Sequence, residues 1–430
     1  MQAGRYEETE AFLKVFAQRL EKGPPLSTEW IEAALRTALL EDGRRLLERL
    51  LAQLPAPEAP PQPGQRVYRQ RACQVLSIFG PVTLRRDYYH RPGSEGGFPV
   101  DAALGLIDGC TPAAVRMFTR TAAQLPYLES SQQLQELAGL KVEPSRLQRL
   151  VGALGPSLQE PLLQLPAPAT SPPLQFYVSI DGTGVPMVGL ELEGRAGRGP
   201  DGQARTREVK LAAFFTQTVT DQEGHPLRDP NSTTYLASFL CSDEFGPLAR
   251  RAALQRGMAQ AGQLIYLGDG AAWVWEIART CFVSATQILD YYHASQHVVA
   301  LAKAVYADAG SAQNWGVRWK DLIYDSQLDT VLAEARQASG ETLSSEAQRE
   351  VDYLENNRAR MDYRRYRANG WFIGSGVVEA GCKHLVGQRL KQSGMFWTQA
   401  GATAVLHLRC ALLSAGGWNH LWSQLLPRAA

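Results

Sequence analysis

The sequence predicts an α/β protein: a mixed sheet flanked by helices, carrying a helical insertion and preceded by a mainly helical region that contains a β-hairpin. Three observations lead there. Short apolar runs alternate with helical patterns from residue 174 to residue 293, residues 294–370 read as mainly helical, and two proline-rich stretches, 54–65 and 166–174, precede the alternating part.

A chain of 430 residues can bury a large core and is long enough for two or three domains. With 45% apolar and 20% charged residues it is ordinary for a globular protein and too apolar for wholesale disorder. The formal charge of +1 decides nothing about nucleic acid, because binding follows local basic surfaces rather than the total. The six cysteines lie far apart, which argues against a zinc clip or a disulfide framework and for a reducing compartment. No apolar run approaches the ~20 residues of a membrane helix, so a soluble cytoplasmic protein with no membrane partner is expected.

Residues 1–53 carry apolar positions at helical spacing (Phe12, Val15, Phe16, Leu20, then Ile31, Ala34, Leu35, Leu39), broken at Pro24-Pro25, and read as two or three amphipathic helices. Residues 54–65 form a proline-rich linker. Within 66–165, two β-rich runs around Phe79-Gly80-Pro81 predict a hairpin over 72–90, followed by the turn-rich RPGSEGGFP. Residues 130–154 have the length and glycine placement of a helix-turn-helix, with Ser130 or Ser131 as cap, Gly139 in the turn and Pro144 in the first turn of the second helix. In that reading Ser145, Arg146, Gln148 and Arg149 face a DNA groove; ordinary core packing is the competing reading.

The main domain begins with 174–299. Strands are expected over 174–190, 209–219 and 232–240, a helix around 243–262, a strand at 264–270, a helix over AAWVWEIART and a further strand end at 286–293. Residues 300–370 form the helical insertion, and 371–430 return to the domain as helices.

Asp181 follows the buried-strand pattern Tyr177-Val178-Ser179-Ile180 and precedes Gly182; Asp269 follows Leu264-Ile265-Tyr266-Leu267 between Gly268 and Gly270. Two acids at strand ends beside glycines can converge where the backbone approaches a ligand closely, although each alone is readily explained as a turn or helix cap. Glu379 lies in GSGVVEAGCKHLVGQRLKQSGMFW, residues 374–397, where Glu379, Lys383, Val386 and Leu390 are spaced to share a helix face. An acid followed by Lys383, Arg389 and Lys391 suits a helix that holds a metal near its start and phosphates further on; a simple Glu379–Lys383 pair is the plainer alternative. Three converging carboxylates repel unless cations neutralise them, which implies Mg²⁺ or Mn²⁺, and two ions ~4 Å apart suit phosphodiester chemistry. From Arg358 to Trp397 there are eight basic residues against two acidic ones, interleaved with Tyr363, Tyr366, Trp371, Phe396 and Trp397, as in surfaces that grip phosphates and stack on bases.

The runs IDGTG, LGDGAAWVW, LDYYHASQH and especially residues 374–397 resemble the bacterial insertion-sequence DDE transposases of the Kra type, distant relatives of the Mutator-like group. The resemblance spans roughly residues 70–420. It implies an RNase H-like domain with Asp181, Asp269 and Glu379 as a catalytic, metal-holding triad. It further implies DNA as substrate, namely the terminal inverted repeats of an element and a target, and a homodimer or larger assembly that synapses two ends. Asp290 and His293 match an Asp-x-x-His motif that lies close to the active site in Mutator-like relatives. Arg146, Arg149, Lys383, Arg389, Lys391 and Trp397 are the candidate DNA contacts. Many relatives carry cysteines after the hairpin, but RPGSEGGFP has none, so no zinc is expected. Competing readings are a transposase-derived DNA-binding protein that no longer cuts, a sugar kinase or ATPase using IDGTG as a phosphate loop, and, more distantly, a glycosidase using two of the acids.

Overall fold

The computed structural model describes residues 6–22, 27–54, 61–93, 96–167, 172–197, 202–340 and 342–425. Parts of both proline-rich stretches, 55–60 and 168–171, and two residues of the turn after the hairpin, 94–95, lie outside the described residues. The chain divides into two units, Met1–Pro156 with Trp422–Ala430, and Ser157–Leu421.

In the first unit, helices Glu7–Lys22 and Thr28–Ala52 are joined by Asp42, whose buried carboxylate accepts the backbone N–H groups of Glu8 (3.0 Å) and Thr9 (2.9 Å). The expected hairpin is present and begins earlier than its sequence pattern: β1, Arg66–Ser77, pairs with β2, Gly80–His90, around a two-residue turn that places Gly80 at φ 100°. Glycine adopts that conformation without a Cβ clash. Three helices follow, Pro112–Gln124, Tyr127–Ala138 and Pro144–Leu154. Gly139 terminates the middle one at φ 70° and Pro144 opens the last, as expected. Neither Ser130 nor Ser131 is a cap: the helix starts three residues earlier after Pro126, and Ser130 is buried inside it.

The second unit is built on a five-stranded mixed sheet. Its strands are β3 (Gln175–Pro186), β4 (Thr206–Gln217), β7 (Thr234–Ser238), β8 (Gln263–Gly268) and β9 (Thr286–Leu289); a separate small hairpin pairs β5 (Val219–Thr220) with β6 (Pro226–Leu227). The order is β7-β4-β3-β8-β9, with β4 antiparallel to both neighbours and β8 and β9 parallel to β3, an arrangement compatible with an RNase H-like fold. Phe176 to Ile180 are buried without interruption, and so are Ile265, Tyr266 and Leu267, because these strands are covered on both faces. Helices Ser242–Gln255 and Ala272–Cys281 and the insertion helices contribute to one continuous core with them, including Phe245, Ile277, Leu301, Trp319, Val351 and Tyr363.

Residues 286–293 are only half strand. β9 stops at Leu289, and helix Tyr291–Val305 follows at once, capped by Asp290, so the helical insertion starts before residue 300. The insertion continues as Ala309–Tyr324, Leu328–Ser339, Ser345–Asn357 and Tyr363–Ala368. The chain then returns to the sheet as one helical run, Gly376–Leu390, whose middle, Cys382–Gly387, is a π-helical turn. No helix among the described residues is long and apolar enough to cross a membrane.

Gly381 sets how closely that run approaches the sheet, since a Cβ there would lie 2.7 Å from Leu211 and 2.8 Å from Tyr235. Gly381→Val forces the helix off the strands and should cost about 1–3 kcal/mol. A lowered Tm in thermal unfolding checks this; an unchanged Tm contradicts the packing described.

Candidate active site

Parallel register aligns the acids. Ser179 pairs with Leu267, and Leu267 pairs with Ile288, so Asp181, Asp269 and Asp290, each two residues further on, stand level across three neighbouring strands. Residues two apart share a sheet face and adjacent strands lie ~4.8 Å apart, which makes Asp181 and Asp269 neighbours and sets Asp290 beyond them. Asp269 and Asp290 do end their strands. Asp181 does not: β3 runs on to Pro186, with Gly182, Thr183 and Gly184 paired to Lys210, Val209 and Glu208. Gly182 and Gly184 are therefore strand residues without the turn that a phosphate-cradling loop requires, which removes the main support for the kinase reading.

Each acid is held differently. Asp181 accepts the backbone N–H of Gly182 at 2.6 Å and the thiol of Cys382 at 3.4 Å. Burial pushes its carboxyl above the ordinary range, helped by the charge of Asp269 and opposed by those two hydrogen bonds. Asp269 is half-buried and closes the turn before the next helix by accepting the N–H of Ala271 at 3.0 Å. Asp290 is wholly buried and accepts the N–H of His293 at 2.7 Å and the N–H of Ser375. Burial alone would raise the Asp290 carboxyl, but the hydrogen bonds from His293 and Ser375 hold it below its usual value.

Glu379 is exposed at the start of its helix, where its carboxylate accepts the Ser375 hydroxyl at 3.0 Å and lies 3.9 Å from His293 Nδ1. His293 Nδ1 is also 3.3 Å from Asp290. That hydrogen bond raises the basicity of His293 above the ordinary value; burial opposes it, and the charges of Asp269 and Glu379 assist. Gly374 is needed beside this junction, because a Cβ there would lie 2.9 Å from the Tyr292 ring.

The expected triad does not close into one compact ligand set. Among the described residues the group whose donor atoms all lie within 4.8 Å of one another is Asp290, His293 and Glu379. We do not read that group as a metal centre, because both Asp290 oxygens are already engaged by backbone N–H groups in a fully buried setting. It is better described as a hydrogen-bonded junction that ties Glu379 to the end of β9. Asp181 and Glu379 instead face a common cleft of about 530 Å³, lined also by Thr183, Cys382, Lys383 and Lys391. A second cavity of about 470 Å³ lies in the first unit, among Glu48, Arg86, Tyr89 and Leu104, and contains none of these acids.

The six candidate DNA contacts divide. Lys383 and Lys391 are exposed on the cleft, and Lys391 donates to the Thr183 hydroxyl. Arg389 is 1% exposed with its guanidinium over the Trp397 ring and serves packing, while Trp397 is half-buried and its indole donates to the Leu390 carbonyl at 3.0 Å. The π-helical turn causes this: it rotates the helix so that Lys383 stays outside with Glu379 while Val386, Arg389 and Leu390 turn inward, breaking the single face expected for Glu379, Lys383, Val386 and Leu390. Arg146 donates to the carbonyl of Asp108 at 2.9 Å and Arg149 pairs with the Asp108 carboxylate at 3.2 Å; both brace the 108–110 turn. Tyr363 and Tyr366 are core residues and Trp371 packs against that core. Arg360, Arg365 and Arg367 bond to Gln287, Asp362 and Asp325, while Arg358, Arg364 and Arg365 stay exposed, so in the stretch before residue 374 the aromatic rings pack inward and several of the arginines remain on the surface.

Sequence reasoning missed Ser375, Cys382 and Thr183, although all three sit inside motifs it singled out. The Gly-Ser-Gly opening of the 376–390 run signalled a helix start; nothing local signalled that Cys382 would meet Asp181.

No protein-family model matches the chain, and no curated protein matches it. Among solved structures, the Drosophila P element transposase strand transfer complex aligns over 72% of this chain and 79% of that one, with 6% identity and a TM-score of 0.26. A likeness of that size decides nothing about this chain's fold or chemistry.

The raised Asp181 carboxyl has a consequence for stability. Its folded pKa exceeds the unfolded value of about 3.9, so ionisation at neutral pH costs stability, and that cost vanishes as pH falls through the folded and then the unfolded value. In metal-free protein Asp181→Asn should therefore raise Tm at pH 7, with the gain shrinking toward pH 4. Melting curves across that range check it, and a Tm lowered at pH 7 contradicts the electrostatic account.

Proposed function

We propose that this chain is a DNA transposase of the bacterial insertion-sequence DDE class, which cuts and joins DNA strands with divalent cations held by Asp181, Asp269 and Glu379. The observation that carries the reading is the level placement of Asp181 and Asp269 just past the last parallel pair of β3 and β8, with Glu379 facing the same cleft as Asp181 from a separate helix. The resemblance of residues 374–397 to that class supports it.

The donor set fits Mg²⁺ or Mn²⁺. It consists of carboxylate oxygens, and Asp181 is held above its ordinary pKa by burial and by the uncompensated charge of Asp269, a strain that a cation relieves. A bound pair of such ions supplies activation of the attacking water or 3′-hydroxyl and charge stabilisation at the leaving oxygen. The chain's own groups do the rest. Lys383 and Lys391 offer ammonium groups to the phosphates of a strand lying in the cleft. Asp290 fixes the Nδ1 side of His293, whose raised basicity favours the imidazolium and leaves Nε2–H to donate to a phosphate oxygen or a leaving group. Ser375 orients the Glu379 carboxylate. Synapsis of two element ends requires a dimer or larger assembly.

Purified protein with Mg²⁺ or Mn²⁺ should cleave or join duplexes that carry the inverted repeats flanking its coding region. Asp181→Ala, Asp269→Ala and Glu379→Ala should each lower the rate by at least about 100-fold while DNA binding in gel-shift assays persists. Near-full activity in any one of the three removes that residue from the machinery; no metal-dependent reaction at all in the intact protein on its own ends favours a DNA-binding protein that no longer cuts.

A further inference from the structure

Asp269 leaves the sheet through a very short connection. β8 ends at Gly268, Asp269 and Gly270 follow, Ala271 is the cap, and the next helix begins at Ala272. The carboxylate is used within this turn to accept the Ala271 N–H, but the turn's other fixed point comes from far away in sequence. The Tyr353 hydroxyl, on insertion helix Ser345–Asn357, donates to the Asp269 carbonyl at 2.6 Å. Gly270 is at φ 101° directly beneath it, and a Cβ there would collide with the Tyr353 hydroxyl.

Tyr353 is itself immobilised. Its ring stacks on His297 with centroids 3.5 Å apart and planes 20° from parallel, and His297 Nδ1 lies 2.6 Å from the Glu350 carboxylate one turn before Tyr353. A second clamp ties the helix that follows Asp269, Ala272–Cys281, to the same insertion helix: the Trp275 indole donates to Asn357 Oδ1 at 2.8 Å, and the Asn357 amide donates within its own helix to the Tyr353 carbonyl at 2.9 Å. A bond from the Asp269 turn and a bond from the helix after it thus converge on one insertion helix.

We infer that Tyr353 is a positioning residue for Asp269, and that the helical insertion is a part of the site that sets where this carboxylate meets a cation. The inference rests on the assignment of Asp269 as a cation ligand. The hydroxyl acts through the backbone carbonyl. Fixing that carbonyl fixes the Cα and the direction in which the carboxylate leaves it, while the ring and its stack only hold the hydroxyl in place.

The test is Mn²⁺ binding to the full-length protein, followed by electron paramagnetic resonance, for the intact chain, Tyr353→Phe and Asp269→Asn. Tyr353→Phe keeps the ring and its stack on His297 and removes only the hydroxyl. It should weaken Mn²⁺ binding on the order of 10-fold, as loss of groups that orient metal ligands does, with Tm and DNA affinity unchanged. Asp269→Asn should weaken it further. Weakened binding in Asp269→Asn with intact-level binding in Tyr353→Phe overturns the inference and leaves the proposed function standing. A lowered Tm in Tyr353→Phe without a change in Mn²⁺ affinity also overturns it, since that is the mark of a packing role. Unchanged binding in both variants overturns the metal assignment of Asp269 and the inference with it.

Discussion

The register of three parallel strands is the constraint from which the site follows. Once Ser179, Leu267 and Ile288 are paired, Asp181, Asp269 and Asp290 must emerge level and on the same face, and three carboxyl groups crowd one edge of the sheet. The fold handles each differently. Asp290 is consumed by hydrogen bonds from His293 and Ser375 in full burial. Asp269 is partly engaged in closing its own turn. Asp181 is left with one backbone donor and a weak thiol donor, and burial first, then the charge of Asp269, raises its carboxyl above the ordinary range. A site that is electrostatically unfinished in the bare protein is what cation-assisted chemistry requires.

The second element of the site depends on the first. Because Asp290 takes the N–H of Ser375, the start of the Glu379 helix is fastened to the end of β9, although 85 residues of chain separate the two. Ser375 then passes the connection to Glu379 through its hydroxyl. The spacing of Asp290 and His293 has a local cause as well: it is the distance from a helix cap to the third residue of the first turn, where the cap oxygen receives the backbone N–H. One buried carboxylate thus starts a helix, aims a histidine and anchors the segment that carries Glu379.

Much of this was legible in the sequence, and the reasons differ by element. The strands ending before Asp269 and Asp290 are short apolar runs bounded by glycine or acid, a strong local signal, and the hairpin around Gly80 and the turn at Gly139 were marked by residues that adopt positive φ. What failed was whatever depended on tertiary burial. Arg389, Tyr363 and Tyr366 belong to residue types common on nucleic-acid surfaces, yet packing takes them inside. The π-helical turn after Gly381 shifted a face that 3.6-residue periodicity had placed together, and no single-sequence rule announces such a turn. Tyr353 was invisible for a related reason: its partner, Asp269, is 84 residues away, and a tyrosine in a helix pattern reads as core.

In the proposed function, cations lie with Asp181 and Asp269 rather than within the compact Asp290–His293–Glu379 junction. Anomalous scattering from crystals grown with Mn²⁺ and DNA decides between them. Manganese peaks coordinated by Asp181 and Asp269, with Glu379 reaching one of them, are the expected result. Peaks confined to Asp290, His293 and Glu379, with Asp181 and Asp269 unligated, would contradict it.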